Sequence, residues 1–177
     1  MTKGGAIPIA GKGSLIVDLT AATPADLLRL HAGIADELRR RDLVRSSNNP
    51  AGDYAEYLFC RAFGWTQAEK SARAADARCA AGKLYQIKSR RPTIRNPSRQ
   101  LSAMRGLDAG GFDYLAGILF NEDYSVKRAA IVPHTLVLAN ATFVEYTKSW
   151  KFYLRDAVWT WPQVEDVTDN LRAAESA

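Results

Sequence analysis

The stretch Phe112-Asp-Tyr-Leu-Ala-Gly-Ile-Leu-Phe120 is almost wholly apolar over the length of one strand. A run without polar alternation fits a central strand buried on both faces. Such a strand needs a covering layer on either side.

The remaining pattern supplies those layers. Thr23-Pro24-Ala25-Asp26 reads as a helix start, with Leu27, Leu30, His31, Ile34 and Leu38 recurring at helical spacing to about Arg41. On that stripe His31 reads as a packed core histidine. Arg45–Gly52 has the turn chemistry of a loop. A second helix runs from about Asp53 to Phe63 and stops at Gly64. Two strands, Ser71 to Cys79 and Lys83 to Ser89, join around Ala81-Gly82. Pro92–Pro97 is a basic loop, and Ser98 opens an expected helix to about Leu107. After the buried strand come a turn at Asn121-Glu-Asp, a strand from Tyr124 to Val132 and a short helix over 133–140. Strands near 142–147 and 151–155 and a helix over 164–174 complete the chain, with Trp150, Trp159 and Trp161 as a packed C-terminal lid. At 177 residues the chain suits one domain over 23–177, with a core at about 53–132 and residues 1–22 as a flexible or irregular leader.

With 47% apolar and 24% charged residues, the composition is that of a globular protein, and no apolar run reaches membrane-spanning length. Cys60 and Cys79 form no CxxC pair, which argues against a zinc site or a disulfide framework. A cytoplasmic location without membrane association is the expectation. Charge is distributed unevenly. Residues 77–107 hold eight of the 24 basic residues (Arg78, Lys83, Lys88, Arg90, Arg91, Arg95, Arg99 and Arg105) and none of the 19 acidic ones. The remainder of the chain is net acidic, so the +5 excess resides in this one segment. A track for a phosphate backbone reads better here than a merely solvated face.

Asp76 precedes that segment, and Gln86 and Lys88 stand two residues apart on the second strand. Alternation places Gln86 and Lys88 on one face with Leu84, while Tyr85 and Ile87 point toward a core. A carboxylate, an amide oxygen and an ammonium in one place can hold a divalent metal and a phosphate together. Upstream, Glu56 lies three, four and seven residues before Phe59, Cys60 and Phe63, on the inward stripe of its helix. A carboxylate there needs a cation or a hydrogen-bond partner.

The order of helix with Glu56, strand with Asp76, strand with Gln86-Ile-Lys88, helix and buried strand resembles the restriction-endonuclease-like fold of the PD-(D/E)XK nuclease superfamily. In that pattern Asp76 matches the first acid, Gln86 the variable position, Lys88 the lysine and Glu56 the helical glutamate. Ala75 replaces the proline, and Gln86 replaces the second carboxylate, as in the branch containing methyl-directed type IV restriction enzymes. The resemblance implies an α/β core with a central mixed sheet flanked by helices, an N-terminal helix and a C-terminal strand and helix extension. It further implies Mg²⁺-dependent hydrolysis of DNA phosphodiesters in restriction, defence or repair, with Mn²⁺ able to substitute and RNA also open as a substrate. Asp76, Glu56 and Gln86 would bind the metal, and Lys88 would orient the attacking water. Arg90, Arg91, Arg95, Arg99 and Lys83 would hold the backbone, with a further phosphate seat at the helix start Ser98-Arg99-Gln100. Double-strand cutting would favour a homodimer. The alternative is a catalytically inactive nucleic-acid-binding module that retains the nuclease fold.

Overall fold

A computed structural model of the chain describes residues 7–9, 15–46, 48–68 and 75–176. Contacts gather into two compact units, Met1–Ser47 and Asn48–Ala177. The first helix thus groups with the segment before it, whereas the sequence pattern predicts it as the start of a domain over 23–177.

In the first unit, within the stretch expected to be a leader, β1 (Ile7–Ile9) and β2 (Leu15–Val17) pair antiparallel in the register Ile7↔Val17. Helix α1 (Pro24–Arg40) begins where expected. Thr23 Oγ1 accepts a hydrogen bond from Asp26 N at 3.2 Å, and proline occupies the first turn. Its polar side is laced by Asp26–Arg29 at 2.9 Å, Asp36–Arg39 and Glu37–Arg40 at 2.7 Å. Arg40 and then Arg41 hold the Glu37 carboxyl down at about 2. No residue of α1 is buried. His31 is exposed, so the packed core histidine expected there is not found. Helical spacing identifies which face is apolar, but it does not supply something to cover that face.

The second unit holds a six-stranded mixed sheet in the order β10-β7-β6-β5-β4-β3. Its strands are β3 (Thr66–Gln67), β4 (Ala77–Arg78), β5 (Leu84–Arg90), β6 (Tyr114–Phe120), β7 (Val126–Pro133) and β10 (Glu165–Asp166). Only β5 and β6 run parallel, in the register Gln86↔Leu115 and Lys88↔Gly117. As expected from its unbroken apolar run, β6 is buried at every position from Leu115 to Phe120. Its one residue without a side chain makes room for a neighbour: a Cβ on Gly117 would stand 3.1 and 3.3 Å from the Leu154 methyls.

On one face of this sheet lie α2 (Ala51–Phe63) and α4 (Thr168–Ser176), contributing Ala55, Leu58, Phe59, Leu171 and Ala174 to a core with Ile87, Ile118 and Phe120. Helix α2 stops at Gly64, whose φ of 64° is the left-handed geometry that glycine adopts without strain. On the other face, α3 (His134–Asn140) places Val137 against Leu115, Leu119 and Val132, and Phe152 and Leu154 join them. The chain is therefore α/β, with a mixed central sheet flanked by helices. Strands β8 (Thr142–Val144) and β9 (Ser149–Lys151) form a separate ladder. Trp150, Trp159 and Trp161 pack against the second core, as expected of a lid.

The helix expected from Ser98 to Leu107 is absent. That segment is irregular and tied to 150–153 by isolated bridges: Leu101 N donates to Phe152 O at 3.0 Å, and Met104 and Trp150 exchange backbone hydrogen bonds of 3.1 and 2.8 Å. Leu101, Met104 and Leu107 are all buried, so the three-residue spacing is a real burial signal. The backbone partners lie some fifty residues away, out of reach of any local pattern. The phosphate seat at a Ser98-Arg99-Gln100 helix start falls with the helix. The strand expected over 71–79 is reduced to Ala77–Arg78, with residues 71–74 outside the described residues.

Candidate active site

The β4–β5 hairpin sets the local geometry. Cys79 N donates to Lys83 O at 3.1 Å and Gly82 N to Cys79 O at 2.9 Å, closing the turn with Gly82 at φ 81°. Asp76, one residue before β4, is held through its backbone from both sides. Its N–H donates to Tyr85 O at 2.8 Å, and its carbonyl accepts from Ala68 N at 2.8 Å.

The pairing Ala77↔Tyr85 sets Asp76 beside the next residues of β5. Its Oδ2 accepts from Ile87 N at 2.7 Å and also from Gln86 Nε2. Asp76 and Gln86 are thus in direct contact, both half-buried. With its nitrogen committed to Asp76, Gln86 leaves its carbonyl oxygen Oε1 to accept, and Asp76 Oδ1 receives no hydrogen bond among the described residues. Lys88 follows on the same strand face. It too is half-buried, and among the described residues its ammonium has neither a hydrogen bond nor an ion pair. Tyr85 and Ile87 face the opposite way, into the α2 core, as alternation requires.

Glu56 approaches from that opposite side. It lies on α2, half-buried, and its Oε2 accepts from Gln67 Nε2 at 2.7 Å. Gln67 is on β3, paired with Ala77, and the neighbouring Ala68 N is the donor to the Asp76 carbonyl. Glu56 therefore reaches the strand that abuts Asp76, but from the α2 face, whereas Gln86 and Lys88 project from the other. Gln67 as the partner of Glu56 carries no signal in the sequence. Among the described residues no three His, Cys, Asp or Glu side chains come together.

The basic side chains divide by partner. Lys83 pairs with Asp113 at 3.2 Å, and Arg99 with Asp156 at 2.7 Å. The Asp113 carboxyl is held below its ordinary value, first by the Leu84 N–H and then by Lys83. These two cations are offset and serve the fold. Arg90 and Arg91 instead donate to neutral carbonyls, Ser98 O at 3.0 Å and Glu122 O at 2.8 Å, and keep their full charge. The Arg91 guanidinium also lies 4.3 Å from the centroid of the Tyr124 ring. Arg95 is exposed. Within the basic segment, Lys88, Arg90, Arg91 and Arg95 line the end of β5 and the loop after it without a carboxylate partner among the described residues, as do Arg78 and Arg105 elsewhere in the segment.

Nearby, burial alone would raise the Cys79 thiol, but the N–H groups of Lys83 and Ala81 and the Tyr85 hydroxyl together hold it below the usual thiol range. Burial, then Cys79, pushes Tyr85 up to about 12. His134 Nε2 lies 2.7 Å from Leu107 O, and its ring meets Phe112 edge-on.

Asp76→Ala is expected to reduce stability as well as any activity, because Ile87 N–H and the Gln86 amide lose their acceptor. An unsatisfied, part-buried donor costs about 1–3 kcal/mol. Urea unfolding would read this, and an unchanged midpoint would mean that water replaces the carboxylate at no cost.

No protein-family model matches the chain, and comparison with curated proteins finds no match. No helix among the described residues is long and apolar enough to cross a membrane.

Proposed function

We propose that this chain is a metal-dependent endonuclease hydrolysing DNA phosphodiesters, on a core of the restriction-endonuclease-like kind. The observation that carries this reading is the Asp76–Gln86 contact, with the Lys88 ammonium on the same strand face and without a partner among the described residues. Three unneutralised arginines, Arg90, Arg91 and Arg95, continue from it.

The donor set suits a hard cation. Asp76 Oδ1 and Gln86 Oε1 are both oxygens, and Mg²⁺ commonly takes one or two carboxylates together with water and substrate phosphate. When bound, such an ion supplies positive charge to the phosphate and makes a coordinated water more acidic. Glu56, tied to Gln67 on the other side of the sheet, is the natural fixer of the β3–β4 edge and so of Asp76. Lys88 holds the attacking water and offers positive charge where negative charge builds on phosphorus. Arg90, Arg91 and Arg95 hold the flanking phosphates, while Lys83 and Arg99 stay with Asp113 and Asp156. DNA is the partner that this charge fits.

A second reading has one observation in its favour. The Gln86 amide nitrogen is spent on Asp76 Oδ2, an internal bond of the kind that a nucleic-acid-binding module that has lost hydrolysis would keep. Incubating the purified chain with supercoiled plasmid and linear duplex in Mg²⁺, Mn²⁺ or EDTA separates the two. Nicking or cutting that EDTA abolishes is expected. Salt-sensitive binding without cleavage in either metal would replace the first reading with the second.

A further inference from the structure

The loop after β5 is built to hold one apolar side chain out in solvent. Ile94 is 92% exposed, while almost every contact around it fixes the backbone. Thr93 N donates to Asn96 O at 3.0 Å, Asn96 N returns the bond to Thr93 O at 3.0 Å, and Thr93 Oγ1 accepts from Asn96 N at 3.1 Å. Glu122 Oε1 accepts from Ile94 N itself at 2.6 Å, and Glu122 O takes the Arg91 guanidinium. Arg90 joins the two legs at the base through Ser98 O. Pro92 and Pro97 restrict the backbone on either side.

A single exposed aliphatic residue is ordinary on a protein surface. Here the tip is held at Ile94's own N–H and at both legs, so the conformational cost of presenting it is met before any partner arrives. Its surroundings are cationic. Arg91 and Arg95 flank it in sequence, two cations against the one charge of Glu122, whose carboxylate accepts from the Ile94 N–H and keeps its negative charge. Ile94 is also six residues beyond Lys88 along the chain, within about 20 Å even if fully extended.

We propose that Ile94 is a wedge that inserts between stacked bases of duplex DNA, with Arg91 and Arg95 on the adjacent phosphates. This inference rests on the endonuclease reading. A duplex presents a polyanionic exterior and an apolar stacked interior, and apolar side chains entering from a groove unstack a step and kink the helix. The arrangement selects for steps that unstack easily, such as pyrimidine–purine steps or mismatches.

The test uses the full chain, in EDTA to prevent cutting, on duplexes carrying 2-aminopurine at successive positions. The wild-type chain is expected to raise the fluorescence at one or more positions. Ile94→Ala should return it to the unbound level while still binding in a salt-sensitive way, and Ile94→Leu should retain the rise. Equal fluorescence in the alanine variant, or wild-type binding with no rise at any position, would overturn the wedge; the latter would leave the exposed tip to a protein partner. A fluorescence rise in a chain that cuts nothing in Mg²⁺ or Mn²⁺ would uphold the wedge and sink the endonuclease. Absence of any duplex binding in EDTA would sink the wedge and leave the endonuclease reading to the cleavage assay in Mg²⁺ or Mn²⁺.

Discussion

Lys88→Ala is expected to lower the rate of DNA cleavage by roughly 10²–10⁴-fold, the usual contribution of a positioned proton-transfer or charge-stabilising side chain, while leaving the thermal midpoint within about a degree or two of the parent. The second half of that expectation rests on the absence of any internal task for Lys88. Its ammonium makes no hydrogen bond and no ion pair among the described residues, and the strand that bears it is fixed by backbone pairing with β6 in the register Lys88↔Gly117. Removing the amine therefore leaves no orphaned partner. A half-buried lysine whose ammonium has no partner among the described residues leaves that charge free for an external anion. Lys88→Arg should recover DNA binding but little of the rate, since a planar guanidinium distributes its charge differently. Plasmid nicking measured alongside unfolding decides the matter. Cleavage undiminished in the alanine variant would remove Lys88 from the mechanism. A variant that fails to fold would show that the side chain has a structural duty after all.

The largest effect on stability is expected at the far end of the buried strand. Phe120 is fully buried, its ring 5.6 Å from Tyr54 on α2 and 6.3 Å from Tyr124 in the turn after β6. It joins sheet, helix and turn at one point, where the β6–β7 register also shifts. Phe120→Ala should cost about 3–5 kcal/mol, since the surrounding strands can collapse only partly into the space left. Against a total of about 5–15 kcal/mol for a typical domain, that is a large share, and the thermal midpoint should fall by about 10 °C or more. Tyr54 provides a second readout. Burial, with smaller contributions from Glu175 and Tyr57, pushes its hydroxyl up to about 12. Opening a cavity beside it should let the hydroxyl titrate nearer its ordinary value. A loss below about 1 kcal/mol in urea unfolding would mean that the site repacks, contrary to the geometry described.

Local chemistry controls the features that are legible in the sequence. The continuous apolar run marks β6, Gly82 the hairpin turn, Gly64 the end of α2 and Thr23 the start of α1. Strand alternation correctly separates Gln86 and Lys88 from Tyr85 and Ile87. The failures share a cause. Residues 98–107 bury the expected positions but bridge to a segment some fifty residues later, and the stripe on α1 is apolar without a cover among the described residues. In the candidate site, Asp76 and Gln86 meet because hairpin partners are near in sequence. The bond from Glu56 to Gln67 and the pairing of Arg99 with Asp156 are tertiary facts with no short-range trace. Part of the basic segment therefore looks available in the sequence although Lys83 and Arg99 are already neutralised.

The parallel pairing of β5 with β6 bears on how the molecule reaches its structure. Joining β4 to β5 closes only the short turn at residues 79–83. Joining β5 to β6 must close a connection of roughly two dozen residues, 91–113, which contains no α-helix to shorten it. By loop-closure entropy the second step is dearer by about 1.4 kcal/mol, or about tenfold in probability. The hairpin that brings Asp76 to Gln86 can therefore form on its own timescale, in microseconds, and wait for the sheet to assemble against it. Order of assembly and order of proposed importance coincide here: the contact on which the proposed chemistry rests is the local one, and the slow non-local pairing completes the scaffold around it.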